Sequence, residues 1–228
     1  MRHYLGLALF AEGPTDHQFL RPLLERFTET LCLARARGLV EIPSMIELHS
    51  PRRVKDSDRA TRILEAARDA WGSFHILFIH SDGGGDPTAA EVNCIDPARR
   101  AIRDDVDLGE GSTRTVAIVP VRETEAWMLA DGDAIREAFG TTLTNARLGL
   151  PSHARAVETI PDPKVELDRI LASVLGRASR RRRLQNYLAT IGQTARFERL
   201  REVPSFQSFE EQFTAALTGL AYLDDAPV

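Results

Sequence analysis

The chain of 228 residues is poor in cysteine and in long apolar runs, and each shortage excludes a class of protein. Cys32 and Cys94 fall outside any Cys-x-x-Cys or Cys/His spacing, which argues against a zinc site and a disulfide framework. The longest early apolar run, YLGLALFA, is too short to cross a bilayer and ends at Glu12. No cleavage site of small residues follows it, so we expect a cytoplasmic protein with no membrane partner.

Strong net charge and a nucleotide-binding P-loop are also missing. The formal net charge is −4, so the molecule as a whole does not attract nucleic acid. Any such binding needs a local basic patch, and the four consecutive arginines Arg180, Arg181, Arg182 and Arg183 are the candidate. They point around the whole circumference of a helix, and the ordinary alternative is a solvated surface. Since no P-loop is present, any ATPase activity would belong to a separate protein.

Strand and helix patterns alternate along the first part of the chain. The apolar runs that predict strands are 4–11, 44–50, 74–80 and 114–121. The patterns that predict helices between them are 14–36, 56–71 and 96–106. Continuous apolar strands joined by helices are typical of a parallel sheet covered on both faces. We therefore predict an α/β fold with a four-stranded parallel sheet.

After Trp127 the sequence contains only helical patterns. We accordingly divide the chain into an α/β domain at 1–130 and a helical C-terminal extension at 131–228.

Acidic residues follow three of the four predicted strands. Glu12 follows the first, Asp82 and Asp86 follow the third, and Glu123 and Glu125 follow the fourth. Ligands of open parallel sheets bind beyond the carboxyl ends of the strands, so we expect these acids to meet at one edge. Clustered carboxylates stay ionised together only when cations neutralise them, and oxygen ligands suit Mg²⁺ or Mn²⁺.

Each of these acids also has an ordinary structural explanation. Glu12 would be a turn acid, Asp82 and Asp86 residues of a glycine-rich turn, and Glu123 and Glu125 acids in the first turn of a helix. We predict that only one of Glu123 and Glu125 faces the site, and the sequence does not say which. A strand-end histidine such as His80 is more often a core residue than a ligand.

Several motifs together resemble the Toprim domain of topoisomerases, primases and OLD-type nucleases. EGPTD at 12–16 looks like its Glu-Gly motif, and HSDGGGD at 80–86 stands where that family carries Asp-x-Asp. ETEAWMLAD at 123–131 and PDPK at 161–164 resemble a narrower group of small, Toprim-like bacterial proteins linked to phage defence. The resemblance implies a Toprim-like (Rossmann-like) fold and makes Glu12 a general acid/base or a metal ligand.

The chain departs from that pattern because it has no strict Asp-x-Asp. In one alignment His80 replaces the first acid. In the other Asp82 is the first acid, Gly84 replaces the second, and Asp86 substitutes from two residues later. We favour the second, because His80 ends the strand and Asp82 begins the loop.

Two functions follow from these features. The first is a metal-dependent phosphodiesterase, a nuclease acting on DNA or RNA, with Glu12 and Asp82 catalytic and Lys164 and the arginine run holding the nucleic-acid backbone. The second is a binding module that has lost a metal ligand and serves another protein, such as an ATPase. A phosphatase of the dehalogenase type ranks lower, because it requires Asp-x-Asp after the first strand.

Overall fold

A computed structural model describes residues 2–36, 38–106, 108, 114–176 and 184–223. In this part of the chain the strands are β1 (Arg2–Tyr4), β2 (Leu7–Phe10), β3 (Leu39–Glu41), β4 (Ile46–Leu48), β5 (Ile76–His80) and β6 (Thr115–Ile118). The four strands that form the main sheet lie in the order β4-β2-β5-β6, and every pair is parallel. The predicted α/β class and its four-stranded parallel sheet are therefore confirmed.

The α-helices of the described residues are α1 (Pro14–Arg35), α2 (Arg59–Asp69), α3 (Pro87–Ala90), α4 (Asp96–Asp104), α5 (Glu125–Met128), α6 (Gly132–Phe139), α7 (Asn145–Leu148), α8 (Pro163–Leu175), α9 (Gln185–Thr194), α10 (Phe197–Leu200) and α11 (Pro204–Gly219). One helical turn of π type joins α3 to α4, and short 3₁₀ turns lie at Arg52–Val54 and Ala154–Thr159.

A small second sheet was not predicted. β1 and β3 pair in parallel beside the main sheet, and the strand predicted at 4–11 is interrupted at Gly6. Only glycine fits at this position, since a Cβ at Gly6 would lie 2.6 Å from the carbonyl oxygen of Ser73. Gly6 N–H donates to His75 Nδ1 (3.0 Å) between the two short strands.

Strand alternation divides the core into two layers, because successive side chains point to opposite faces of a sheet. Leu7, Leu9 and Phe78 pack with α1 and the C-terminal helices. Ala8 and Ile79 pack on the other face with residues of α2 and α4. Helices thus cover both faces of the sheet, as predicted.

The C-terminal helices share the larger of these two core layers. A Cβ at Gly192 of α9 would lie 2.3 Å from the carbonyl oxygen of Phe19 in α1, so only glycine permits this approach. Arg26 donates to the carbonyls of Gly192 (2.9 Å) and Ala195 (3.0 Å) at the end of α9. One buried cluster therefore runs across residue 130, where we divided the chain. No helix in the described ranges is long and apolar enough to cross a membrane.

Candidate functional site

The site lies where the strand order reverses. From β2 the chain goes first to β4 on one side and then, through α2, to β5 on the other side of β2. Such a reversal opens a crevice beyond the carboxyl ends of the two central strands. Glu12 stands two residues after β2, and Asp82 stands two residues after β5. The two acids predicted to be catalytic therefore border this crevice from adjacent strands.

Glu12 is held by side chains of the neighbouring elements. Ser81 Oγ donates to its Oε1 (2.8 Å), and Arg59 Nη1 lies 3.5 Å from the same oxygen. Arg59, the first residue of α2, also donates to the carbonyl of His80 and packs over the ring of Phe10. The Glu12 side chain is 37% exposed, so it remains accessible from solvent. This arrangement anchors the carboxylate while leaving it open to a ligand.

The backbone of the turn after Glu12 finds a hydrogen-bond acceptor other than the Glu12 carboxylate. Gly13 caps α1, and its N–H donates to Asp16 Oδ2 (2.9 Å), the reciprocal half of a capping box. Asp16 thus belongs to the cap of α1. Since the helix end has its own acceptor, Glu12 is not needed as a turn acid.

Two further acids present buried oxygens that lack partners. Asp82 Oδ1 and Glu123 Oε2 are inaccessible to solvent and accept no hydrogen bond from any described residue. His80 Nε2 approaches Asp82 Oδ1 to 3.3 Å. A buried carboxylate oxygen without a donor is costly, and such a group needs an explanation. An absent cation is one explanation that the donor set allows.

Glu125 differs from Glu123 in its surroundings. Its side chain is only 7% exposed, and Lys164 Nζ lies 3.8 Å from its Oε1. Burial raises the pKa of Glu125, and the charges of Glu123 and Asp16 raise it further, against the opposing effect of Lys164. Glu125 opens α5, as the helix-turn alternative predicted, yet it also lies in the field of the site acids.

A chain of polar contacts joins the three segments that surround the crevice. Thr124 Oγ1 lies 3.0 Å from Asp16 Oδ1 and 2.9 Å from His80 Nε2. All three side chains are largely buried. The sequence analysis did not select Thr124, Ser81 or Arg59. Their sequence signals are weak, since Thr124 only stands between Glu123 and Glu125, and Ser81 only precedes Asp82.

The glycine loop after β5 is joined to the loop after β6. The N–H groups of Gly83, Gly84 and Gly85 donate to the carbonyls of Pro120 (2.9 Å), Arg122 (3.2 Å) and Val121 (2.7 Å), respectively. A Cβ at Gly83 would lie 2.4 Å from the carbonyl oxygen of Pro120. At this position the glycine serves close packing of the two loops.

The remaining predicted residues lie at the margin or outside the described part. Asp86 is exposed and caps α3 by accepting from Ala89 N–H (2.9 Å), and no described contact links it to Glu12 or Asp82. Lys164 lies in the first turn of α8 and reaches the site only through Glu125. Arg180, Arg181, Arg182 and Arg183 lie outside the described residues.

The acids can be tested for their fit to a divalent cation. Across the described ranges no three His, Cys, Asp or Glu side chains are close enough together to hold a metal ion. Mg²⁺ needs fewer, because it retains waters and binds through one or two carboxylates together with substrate phosphates. The buried, unpartnered oxygens of Asp82 and Glu123 supply ligands of this type. The residues present therefore fit a cation that water and substrate help to coordinate.

The fold and the site together define an α/β domain with acidic side chains beyond the carboxyl ends of its two central strands, where the strand order reverses. Residues 11–214 match the domain of unknown function DUF4276, and the chain belongs to this family. The matched segment includes Glu12, the glycine loop and all helices to the middle of α11. No curated protein matches the chain. No solved structure matches it either.

Proposed function

We propose that this protein is a divalent-metal-dependent phosphodiesterase of Toprim type, a nuclease that acts on DNA or RNA. The observation that carries the proposal is the pair of acids at the strand reversal, with the unpartnered buried oxygens of Asp82 and Glu123 beside the anchored Glu12. Acidic residues at this position are suited to a cation-assisted reaction of a phosphate ester.

Each side chain has a role in this proposal that follows from its contacts. Asp82 and one of Glu123 and Glu125 hold Mg²⁺ or Mn²⁺, and Glu123 is favoured because its Oε2 has no other partner in the described structure. The bound ion supplies stabilisation of the phosphate charge and an acidified water. Glu12, exposed and fixed by Ser81, accepts a proton or acts as a further ligand.

Cationic groups around the crevice would hold the phosphate backbone. Arg59 stands beside Glu12, and its Nε has no hydrogen-bond partner among the described residues. Lys164 is 55% exposed, so its ammonium group can reach a phosphate while it faces Glu125. The arginine run at 180–183 is proposed to add salt-dependent affinity that does not read sequence. A part in phage defence rests on the motif resemblance alone.

A second candidate is a binding module that no longer cleaves and that partners another protein, such as an ATPase. The observation in its favour is that Asp86, the acid expected to replace the missing second aspartate, is committed to capping α3. Such a module would bind its partner without binding Mn²⁺ at the crevice.

The experiment is a cleavage assay of the purified protein on end-labelled single- and double-stranded DNA and RNA, with Mg²⁺ or Mn²⁺ and with EDTA. We expect metal-dependent cleavage that falls at least 100-fold in Glu12→Gln and in Asp82→Asn. Asp104→Asn is the matched control, because Asp104 is a 68% exposed acid that pairs with the adjacent Arg103 and with no other residue the structure describes. It should cleave as the wild type does.

Asp86→Asn separates the two alignments of the aspartate motif. Asparagine also caps helices, so this variant keeps α3 intact and removes only the charge. Unchanged cleavage would show that Asp86 only caps α3. A loss of cleavage as large as that of Asp82→Asn would show that Asp86 is a metal ligand. Wild-type protein that neither cleaves any substrate nor binds Mn²⁺ would refute the nuclease and favour the binding module.

A further inference from the structure

His80 occupies a position that the nuclease proposal leaves without a role. It is the last residue of β5 and is completely buried. Its Nε2 faces both Thr124 Oγ1 (2.9 Å) and Asp82 Oδ1 (3.3 Å). Its Nδ1 has no hydrogen-bond partner among the described residues, and the nearest charged atom on that side is Asp16 Oδ2 at 3.8 Å.

The hydrogen positions in this chain follow from what each group can donate. A carboxylate only accepts, so Thr124 must donate its single hydroxyl hydrogen to Asp16 Oδ1 (3.0 Å). The same hydroxyl can then only accept from His80 Nε2, which must therefore carry a hydrogen. A hydrogen on Nδ1 instead would leave Nε2 as an acceptor facing an oxygen that has no hydrogen left to give.

We infer that His80, oriented by Thr124 and Asp16, is a positioning residue for Asp82. His80 Nε2 lies 3.3 Å from Asp82 Oδ1 without a hydrogen bond between them, and the threonine hydroxyl fixes the ring against which this oxygen lies. Asp16 is itself anchored by Gly13 N–H, so the chain links the Glu12 turn to the acid after β5. Where Asp82 acts as a metal ligand, which rests on the proposed function, this link determines the orientation of its carboxylate.

The hydrogen assignment can be tested on the unmodified protein. Two-bond ¹H–¹⁵N correlation spectra of protein labelled in its histidines distinguish a hydrogen on Nε2 from one on Nδ1 alone. The His80 signal is assigned through its backbone resonances, so no variant has to fold. We expect hydrogen on Nε2. A ring with hydrogen on Nδ1 only would overturn the inference.

The positioning role is tested by removing and restoring the hydroxyl group. Thr124→Val keeps the shape of the side chain but cannot hold His80, whereas Thr124→Ser keeps the hydroxyl. In metal-free crystal structures we expect the Asp82 carboxylate to leave its wild-type orientation in Thr124→Val and to retain it in Thr124→Ser. The same orientation in both variants would refute the inference.

Metal affinity provides a second readout. If Asp82 binds the ion, Thr124→Val should weaken Mn²⁺ binding by roughly ten- to one-hundred-fold, as loss of a group that orients a ligand typically does. Thr124→Ser should bind within about threefold of the wild type. If wild-type protein binds no Mn²⁺, the proposed nuclease fails, while the hydrogen assignment and the crystal structures still decide the role of His80. Equal Mn²⁺ affinity in the wild type and both variants would refute the positioning role.

Discussion

Replacing Asp131 should destabilise the protein. Asp131 is the last residue of ETEAWMLAD at 123–131, the motif that resembles the Toprim-like group, but its contacts are those of a structural residue. The residue is completely buried, and it accepts hydrogen bonds from Asp133 N (3.0 Å) and from Arg196 N (2.8 Å), Nε (3.0 Å) and Nη2 (2.7 Å). It therefore holds the start of α6 to the segment between α9 and α10. We assign it to the fold and expect no part for it in cleavage.

The size of the effect follows from which donors lose their partner. In Asp131→Ala two backbone N–H groups, those of Asp133 and Arg196, are left unsatisfied at roughly 1–3 kcal/mol each. The Arg196 side chain is 48% exposed and also pairs with Asp133, so its guanidinium regains water at little cost. We expect a loss of about 2–4 kcal/mol in the free energy of unfolding, a range that overlaps the lower part of the cost of breaking a fully buried pair.

Urea unfolding followed by circular dichroism measures this loss. The control is Asp133→Ala, which removes the half-exposed partner of the same arginine and should cost less than about 1 kcal/mol. If the two variants lose the same stability, the buried clamp at Asp131 contributes nothing beyond a surface ion pair and the reasoning is wrong.

The same carboxylate predicts a pH dependence. Burial alone would raise the pKa of Asp131, but hydrogen bonds from Arg196 and Asp133 outweigh it and hold the pKa below its ordinary value of 3.8. The stabilisation is therefore complete above that ordinary value and is lost as the pH falls through the lower folded value. The stability difference between the wild type and Asp131→Asn should stay constant between about pH 7 and 5 and shrink below about pH 4.

Two further substitutions test other parts of the structure. Gly83→Ala should cost more than about 1 kcal/mol in urea unfolding, because its Cβ would meet the carbonyl oxygen of Pro120; Gly219→Ala, with no atom within 4 Å of its Cβ, should be neutral. Burial raises the pKa of Glu125, so at pH 7 the folded protein carries a buried carboxylate charge that is unfavourable. Glu125→Gln removes this charge and should raise the Tm at pH 7, by about 2–4 °C for each kcal/mol gained. That gain should shrink as the pH falls towards 4.5, the ordinary pKa, and a Tm no higher than that of the wild type at pH 7 would contradict it.

The main sheet was predictable because its strands are short apolar runs, three of them followed by acids. Periodicity located β2, β4, β5 and β6 and the long helix α1, whose buried residues recur at helical spacing. It did not reveal β1 and β3, each of three residues, because neither is buried enough to show an apolar pattern. The need for glycine at position 6 comes from the carbonyl of Ser73, a contact 67 positions distant along the sequence.

Of the candidate site, only the acidic residues could be predicted from the sequence. Strand-end carboxylates are visible in the sequence because parallel strands bring their carboxyl ends to one edge. The partners that define each acid were not visible: Ser81 on Glu12 and Thr124 on His80 are contacts between different strands and loops. In the sequence Asp86 and Asp82 flank the same run of glycines after a strand, and only the three-dimensional structure shows that Asp86 caps a helix.

The paired loops after β5 and β6 have a mechanical consequence. Three hydrogen bonds between their backbones couple Gly83–Gly85 to Pro120–Arg122, and Asp82 and Glu123 flank these two loops. A shift of either loop should therefore displace both acids together. Glu12 and Arg59 belong to neither loop, but Ser81 and the His80 carbonyl tie them to the end of β5, so all four side chains share one mechanical support.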